Sequence, residues 1–148
     1  MDKPRGYFGI GIWRPKHSIN CGTLWRSAFI FGASFIFTVG RRFNKQASDT
    51  LSSHRHVPMF NFDEVDDLVK HLPYACPLIG VELDARSVGL ASFTHPERAC
   101  YLLGAEDHGL NEEARTKCHS LVQIPGEFSL NVAAAGTVVL YDRIAKTR

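Results

Sequence analysis

Short apolar runs alternate with stretches of helical period along this chain, and glycine, proline and small polar residues mark the switches. Tyr7–Trp13 predicts a strand and Pro15–Asn20 a turn. Ser18 or Asn20 is placed to cap a helix that ends at Gly32, with Leu24, Ala28 and Phe31 as its buried stripe. Ser34–Val39 predicts a second strand, apolar enough to be covered on both faces. Val57–Phe60 predicts a third, and Asn61 or Asp63 is placed to cap an acidic helix ending near His71. Pro77–Leu83 predicts a fourth strand, Ala85–Phe93 a loop with one helical turn, and Arg98–Leu103 a fifth strand. A short helix over Leu110–Lys117, a sixth strand over Leu121–Ile124 and a closing helix from Ser129 to near Lys146 complete the chain. Strands alternating with helices predict βαβ units, hence an α/β fold with a mainly parallel sheet and helices on both faces. With no repeat or linker, residues 1–148 read as one domain.

Charge changes this picture more than composition does. Residues 1–60 carry nine Lys/Arg against two Asp, a net +7, whereas residues 61–148 carry eight Lys/Arg against thirteen Asp/Glu, a net −5. The basic half concentrates in Gly40–His56, a polar stretch that leaves the end of a strand, and such asymmetry points to a polyanionic partner. The four cysteines (Cys21, Cys76, Cys100, Cys118) form no C-x-x-C pair, which excludes a zinc ribbon or thioredoxin-like site. They are expected to be reduced thiols of a cytoplasmic protein. The N-terminus has no signal-peptide pattern, and the apolar run Ala28–Val39 is too short to cross a bilayer, so no membrane partner is expected. His54-Arg55-His56 has no carboxylate or cysteine near it in sequence, so no metal is expected. Gly9-Ile-Gly11 lacks the third glycine of a dinucleotide fingerprint and lies within a strand, which makes it structural, and no P-loop is present.

Three polar clusters interrupt the apolar framework: Asn20…Gly22…Arg26, Gly104…Glu106…Gly109-Leu110, and Ile124-Pro125 followed by Ser129-Leu130-Asn131. Singly, each is explained by capping or turn chemistry. Together, in this order, they resemble the N-x-G-x-x-x-R, G-x-E-x-x-G-L and I-P…S-L-N signatures of the SPOUT superfamily, in its SpoU/TrmH-type branch of RNA ribose 2′-O-methyltransferases. The resemblance spans nearly the whole chain. The Gly126–Phe128 loop is shorter than in most relatives, and no additional RNA-binding domain is visible, so the chain resembles a minimal member.

The resemblance implies a C-terminal trefoil knot over about residues 80–148, a homodimer with its active site near the subunit interface, S-adenosylmethionine as cofactor and RNA as substrate, tRNA first. It assigns the cofactor to Val81, Glu82, Leu83, Leu103, Gly104, Gln123, Ile124, Pro125, Ser129 and Leu130. Catalysis falls to Arg26, Asn20, Glu106, Ser129 and Asn131. Arg26 is either a general base or, more in keeping with guanidinium chemistry, an electrostatic clamp. Asn20 would orient Arg26 or touch the ribose, Glu106 would hold loop backbone or Asn20, and Ser129 and Asn131 would order the loop and the partner subunit. RNA binding is expected at Arg14, Lys16, Arg41, Arg42, Lys45 and Arg55. A non-catalytic RNA-binding module of the same fold and a ribosomal RNA methyltransferase are the competing readings. A generic nucleotide-binding enzyme is disfavoured by the absent fingerprints.

Overall fold

Strands apolar at consecutive positions need cover on both faces. The computed structural model, which describes residues 6–43 and 52–147, supplies that cover. The described chain runs β1 (Tyr7–Trp13), α1 (Ser18–Phe31), β2 (Phe35–Val39), β3 (Met59–Phe62), α2 (Val65–Lys70), β4 (Leu78–Val81), β5 (Val88–Gly89), β6 (Arg98–Leu103), α3 (Glu112–Lys117), β7 (Ser120–Gln123) and α4 (Val132–Thr147). The sheet order is β3-β2-β1-β6-β4-β7-β5, and every pairing is parallel. Tyr101 and Leu103 join Ile10, Ile12 and the inner sides of α1 and α4 in one core. Cys100 and Leu102 join Phe35, Phe37 and residues of α2 and α3 in the other. The two faces follow from the period-2 alternation of side chains along each strand.

Gly9 and Gly11 are structural, as their position predicts. A Cβ at either would lie within 2.5 Å of the Phe35 or Phe37 ring on β2, so bare backbone makes room for the neighbouring strand's aromatics. Six strands were expected and the structure adds a seventh. Val88–Gly89 pairs with β7 at the sheet edge, and two residues are too few to show a period. The third strand begins two residues later than its apolar run predicts. Val57 is instead buried beneath α1, its carbonyl accepting from Trp25 Nε1 at 2.8 Å.

Three expected caps differ. His17, not Ser18 or Asn20, precedes α1, and Asn20 turns inward. Asn61 accepts from Thr38 Oγ1 at 2.6 Å, leaving Glu64 and Asp67 to close the start of α2. The closing helix starts at Val132 rather than Ser129, because Asn131 Oδ1 accepts from the amides of Ala133 and Ala134 at 3.0 and 3.2 Å.

The other end of α4 is anchored by a buried polar chain. Arg143 donates to the carbonyls of Pro96 and Glu97, both at 2.6 Å, and to the Tyr101 hydroxyl at 3.2 Å. That hydroxyl lies 2.7 Å from His95 Nδ1, and His95 Nε2 lies 2.7 Å from Asp142 Oδ2. The chain has one polarity: Tyr101 donates to a neutral imidazole, which donates to the carboxylate. Lys146 closes it, pairing with Asp142 at 2.8 Å and donating to Leu90 O.

Burial lowers the His95 pKa below its ordinary 6.5; Asp142 opposes the shift, while Arg143 and Lys146 add to it. The folded state therefore binds fewer protons than the unfolded chain. The stability this contributes is present above the ordinary imidazole value and is lost as pH falls below it toward the lower folded value. Urea unfolding should give a smaller free energy at about pH 5.5 than at about pH 7.5. In His95→Gln that difference should shrink; an unchanged difference would exclude His95 as its source.

Candidate functional site

Register decides where the loops meet. Val81 stands level with Leu103 on one side and with Val122 on the other, so β4, β6 and β7 end together. Ligands of open α/β sheets sit beyond such carboxyl ends. Here the three exits line a cleft of about 300 Å³. Its walls are Val81–Leu83, Leu103–Gly109, Ile124, Ser129 and Leu130, with Val132 and Ala135 of α4. Eight of the ten nominated cofactor residues are brought together here, and Gln123 and Pro125 are not among the walls. Val132 and Ala135 escaped the sequence reading because apolar residues three apart on a helix look like core. Ala105, Asp107, His108 and Gly109 lay inside a signature already noted, and only the folded loop shows that its whole length faces the cleft.

The loop after β6 is folded back on itself. A Cβ on Gly104 would come within 2.4 Å of Gly109 backbone, and Gly109 N–H donates to Ala105 O at 2.9 Å. Glu82 joins this loop to the one after β4. Its carboxylate accepts from Leu83 N–H at 3.0 Å and from Leu110 N–H at 2.6 Å, with Arg115 at 3.7 Å. Below it, Arg86 and Arg115 both bind Asp84, and these partners, Arg86 first, hold the Asp84 carboxyl well below the usual carboxylate range. Both sides of the cleft are thus held by charge-assisted bonds.

A second polar chain joins the three signature clusters. Asn20, 7% exposed, donates through Nδ2 to Glu106 Oε1 at 2.5 Å. Its Oδ1 accepts from Asn131 Nδ2 at 3.1 Å. Glu106 Oε2 accepts the backbone N–H of Lys16 at 3.2 Å. Burial alone would raise the Glu106 pKa, but the Asn20 amide and nearby backbone N–H groups outweigh it and hold the residue as a carboxylate. Glu106 therefore fills both roles considered for it, gripping loop backbone and orienting Asn20. The Cys21 thiol beside it is pushed up to about 12, by burial first and then by the Glu106 charge, so it is no nucleophile.

The remaining nominees are spread over the surface. Arg26 lies on the exposed side of α1 and is not a wall of the cleft. Arg14, Arg41, Arg42 and Arg55 are exposed. Lys16 is exposed but committed to an ion pair with Asp107, which ties the β1–α1 loop to the cleft rim. Lys45 lies outside the described residues. Among the described residues, no group of three or more His, Cys, Asp or Glu side chains could hold a metal ion, and no helix is long and apolar enough to cross a membrane.

The Glu82 bridge makes a measurable claim. A carboxylate accepts both N–H groups, whereas the amide of Glu82→Gln has one acceptor oxygen and turns an NH2 toward the other donor. The substitution should lower the unfolding free energy by about 1–3 kcal/mol. A urea curve indistinguishable from the wild type would show that the bridge contributes nothing.

Comparison with known proteins agrees with this geometry. An uncharacterized tRNA/rRNA methyltransferase of Archaeoglobus fulgidus is 25% identical in an alignment 130 residues long that covers 82% of this chain and 57% of that protein. The chain thus spans little more than half the length of this curated relative. The AdoMet-bound rRNA methyltransferase from Sinorhizobium meliloti superposes with a TM-score of 0.83 at 25% identity, over 96% of this chain and 57% of that one. A structure described as giving insight into the 2-OH methylation of C/U34 on tRNA matches in fold with a TM-score of 0.79 at 22% identity, over 95% of this chain and 96% of that one. The SpoU rRNA Methylase family profile matches residues 8–141. A match over nearly the whole described fold places this protein in the SpoU rRNA Methylase family.

Proposed function

We propose that this chain is an S-adenosylmethionine-dependent RNA methyltransferase acting on a ribose 2′-hydroxyl, with tRNA as its preferred substrate. The observation that carries the reading is the cleft at the joined ends of β4, β6 and β7, tied by Glu106 to Lys16 in the β1–α1 loop and to Asn20 on α1. The residues fit the cofactor. Apolar side chains of Val81, Leu83, Leu103, Ile124 and Leu130 suit an adenine ring, and Ser129 and the loop after β6 add polar groups to the same walls. When bound, S-adenosylmethionine supplies a methyl group already activated on a sulfonium. The protein's task is then alignment and charge stabilisation.

Asn20, Glu106 and Asn131 act as positioning residues, since each commits its polar atoms to the others or to loop backbone. Arg26, the arginine of the N-x-G-x-x-x-R signature, lies exposed on α1 and is the group assigned to the substrate. Its guanidinium donates to the phosphate beside the target ribose and stabilises the oxyanion that forms as the hydroxyl loses its proton. The preference for tRNA draws on the fold likeness, over nearly the full length of both chains, to the protein studied for C/U34 methylation of tRNA. The strand order supports a threaded C-terminal segment, because β6 and β7 each enter between strands that are not their sequence neighbours.

The exposed side of α1 supports a homodimer. Ile19 (62% exposed) and Ile30 (49%) flank Arg26, and Val138 (39%) and Tyr141 (63%) lie exposed on the adjoining α4. The two helices join through the Ser27–Thr137 hydrogen bond at 2.7 Å and the Phe31–Tyr141 ring contact. An apolar patch of this kind marks an interface, and a second copy placed on it would bring Arg26 to the subunit boundary.

Two measurements test the reading. Calorimetry with S-adenosylmethionine should show binding, and tritium transfer from labelled cofactor should mark the ribose of tRNA. Arg26→Lys, which loses the planar fork, should cut turnover by about 100-fold. The absence of calorimetric heat would favour a non-catalytic RNA-binding module instead. For the dimer, light scattering should give twice the chain mass for the wild type and a monomer for Ile30→Glu/Tyr141→Glu. A wild-type monomer at micromolar concentration would remove the dimer from the proposal.

A further inference from the structure

Arg14 occupies an unusual backbone conformation. Its φ is +48°, one of three positive values at non-glycine residues in the described chain. That region is sparsely populated for a long side chain, and the following Pro15 would normally push the residue before it into extended backbone. Such outliers persist where the surroundings over-determine them, and they cluster at functional sites. The surroundings of Arg14 do so from three sides. Its N–H donates to Val39 O at 2.6 Å, continuing the β1–β2 ladder beyond β1. Its guanidinium carbon lies 4.7 Å from the centre of the Trp13 ring, stacked over it. Its stem lies against Gly40, where a Cβ would come within 2.9 Å of Arg14 Cγ.

The stack decides what the guanidinium can still bind. One face is covered by the indole, and the N–H edge is left for a planar, bidentate acceptor. Among the described residues no carboxylate takes that edge, in contrast to Lys16, Arg86 and Arg115, which pair with Asp107, Asp84 and Glu112 or Asp84. The position is also suitable. Ile12 is level with Leu103, so Trp13 and Arg14 leave β1 beside the loop that opens the cleft at Gly104. Arg41, stacked on Phe43, follows Gly40 at the end of β2, so a second guanidinium lies at the same edge of the sheet.

We infer that Arg14 is a preorganised anchor for the phosphodiester backbone of the RNA substrate, held ready by Trp13 and Gly40 before RNA arrives. The inference rests on the RNA-methyltransferase reading and adds to it which basic residue fixes the register of the strand over the cleft. Lys16, next but one in sequence, belongs to the cleft rim instead.

The test uses full-length protein and an unmodified tRNA transcript, with affinity read by fluorescence anisotropy across a salt series. Arg14→Lys keeps the charge but loses the fork and the stack, and Gly40→Ala keeps Arg14 itself but displaces it. Each should weaken RNA binding roughly tenfold, a loss typical of one charged hydrogen-bonded contact. Arg14→Ala should lower the salt slope by about one unit. Arg98→Gln, which removes the same charge at the opposite end of the sheet, should change affinity by less than about twofold. Cofactor affinity by calorimetry should be unchanged in all four. If Gly40→Ala fails to fold, Arg14→Lys carries the test alone. Wild-type affinity in Arg14→Lys, or an unchanged slope in Arg14→Ala, overturns the anchor while leaving the methyltransferase reading standing. A wild-type protein that binds no RNA at any salt overturns both.

Discussion

A single buried carboxamide connects the parts of this protein that have to work together. Asn20 reaches from the first turn of α1 to Glu106 in the loop after β6, and accepts from Asn131 at the start of α4. A buried amide with both ends paired is stable; with either end unpaired it is costly, because the orphaned group has no water to turn to. The three segments therefore hold their relative positions as a unit. Glu106 extends the unit to Lys16 backbone, and the Lys16–Asp107 ion pair reinforces it at the rim. Three of the residues nominated in sequence as catalytic, Asn20, Glu106 and Asn131, are bonded into one framework.

Around that framework the molecule divides its chemistry. The cleft side combines apolar side chains, polar loop residues and tightly paired charges: Glu82 between two backbone amides, and Asp84 between two arginines. The β1–β2 edge carries exposed arginines, two of them stacked on aromatic rings. A small ligand with both apolar and polar groups suits the first surface, and a polyanion the second. The anchoring of α4 through Arg143, Tyr101, His95 and Asp142 lies at the far end of that helix from Asn131, so both ends of the C-terminal segment are fixed by polar contacts.

Much of the fold was legible because its strands are apolar runs bounded by glycine, proline and polar turns. β1, β6 and α3 lie close to where the patterning puts them. Caps and short elements were not, because several polar residues compete for each helix start and only the folded chain shows which has a better partner. Asn20 looked like a cap and is a bridge. Ser129 looked like the helix start, and Asn131 takes that role. Val88–Gly89 is a strand by virtue of its neighbour β7, not of its own residues.

The signatures, their order and the charge asymmetry were written in the chain, since they depend on residue type and spacing. The neighbours were not. That β6 enters between β1 and β4, and β7 between β4 and β5, is decided by long-range pairing to which local periodicity is blind. From that order comes the common end of three strands, and with it the cleft. The same holds for charge. Both Arg14 and Lys16 read in sequence as basic loop residues, and their partners are not legible there. The fold turns one toward Asp107 and stacks the other on Trp13, because a side chain's partner is set by what the tertiary structure brings within reach.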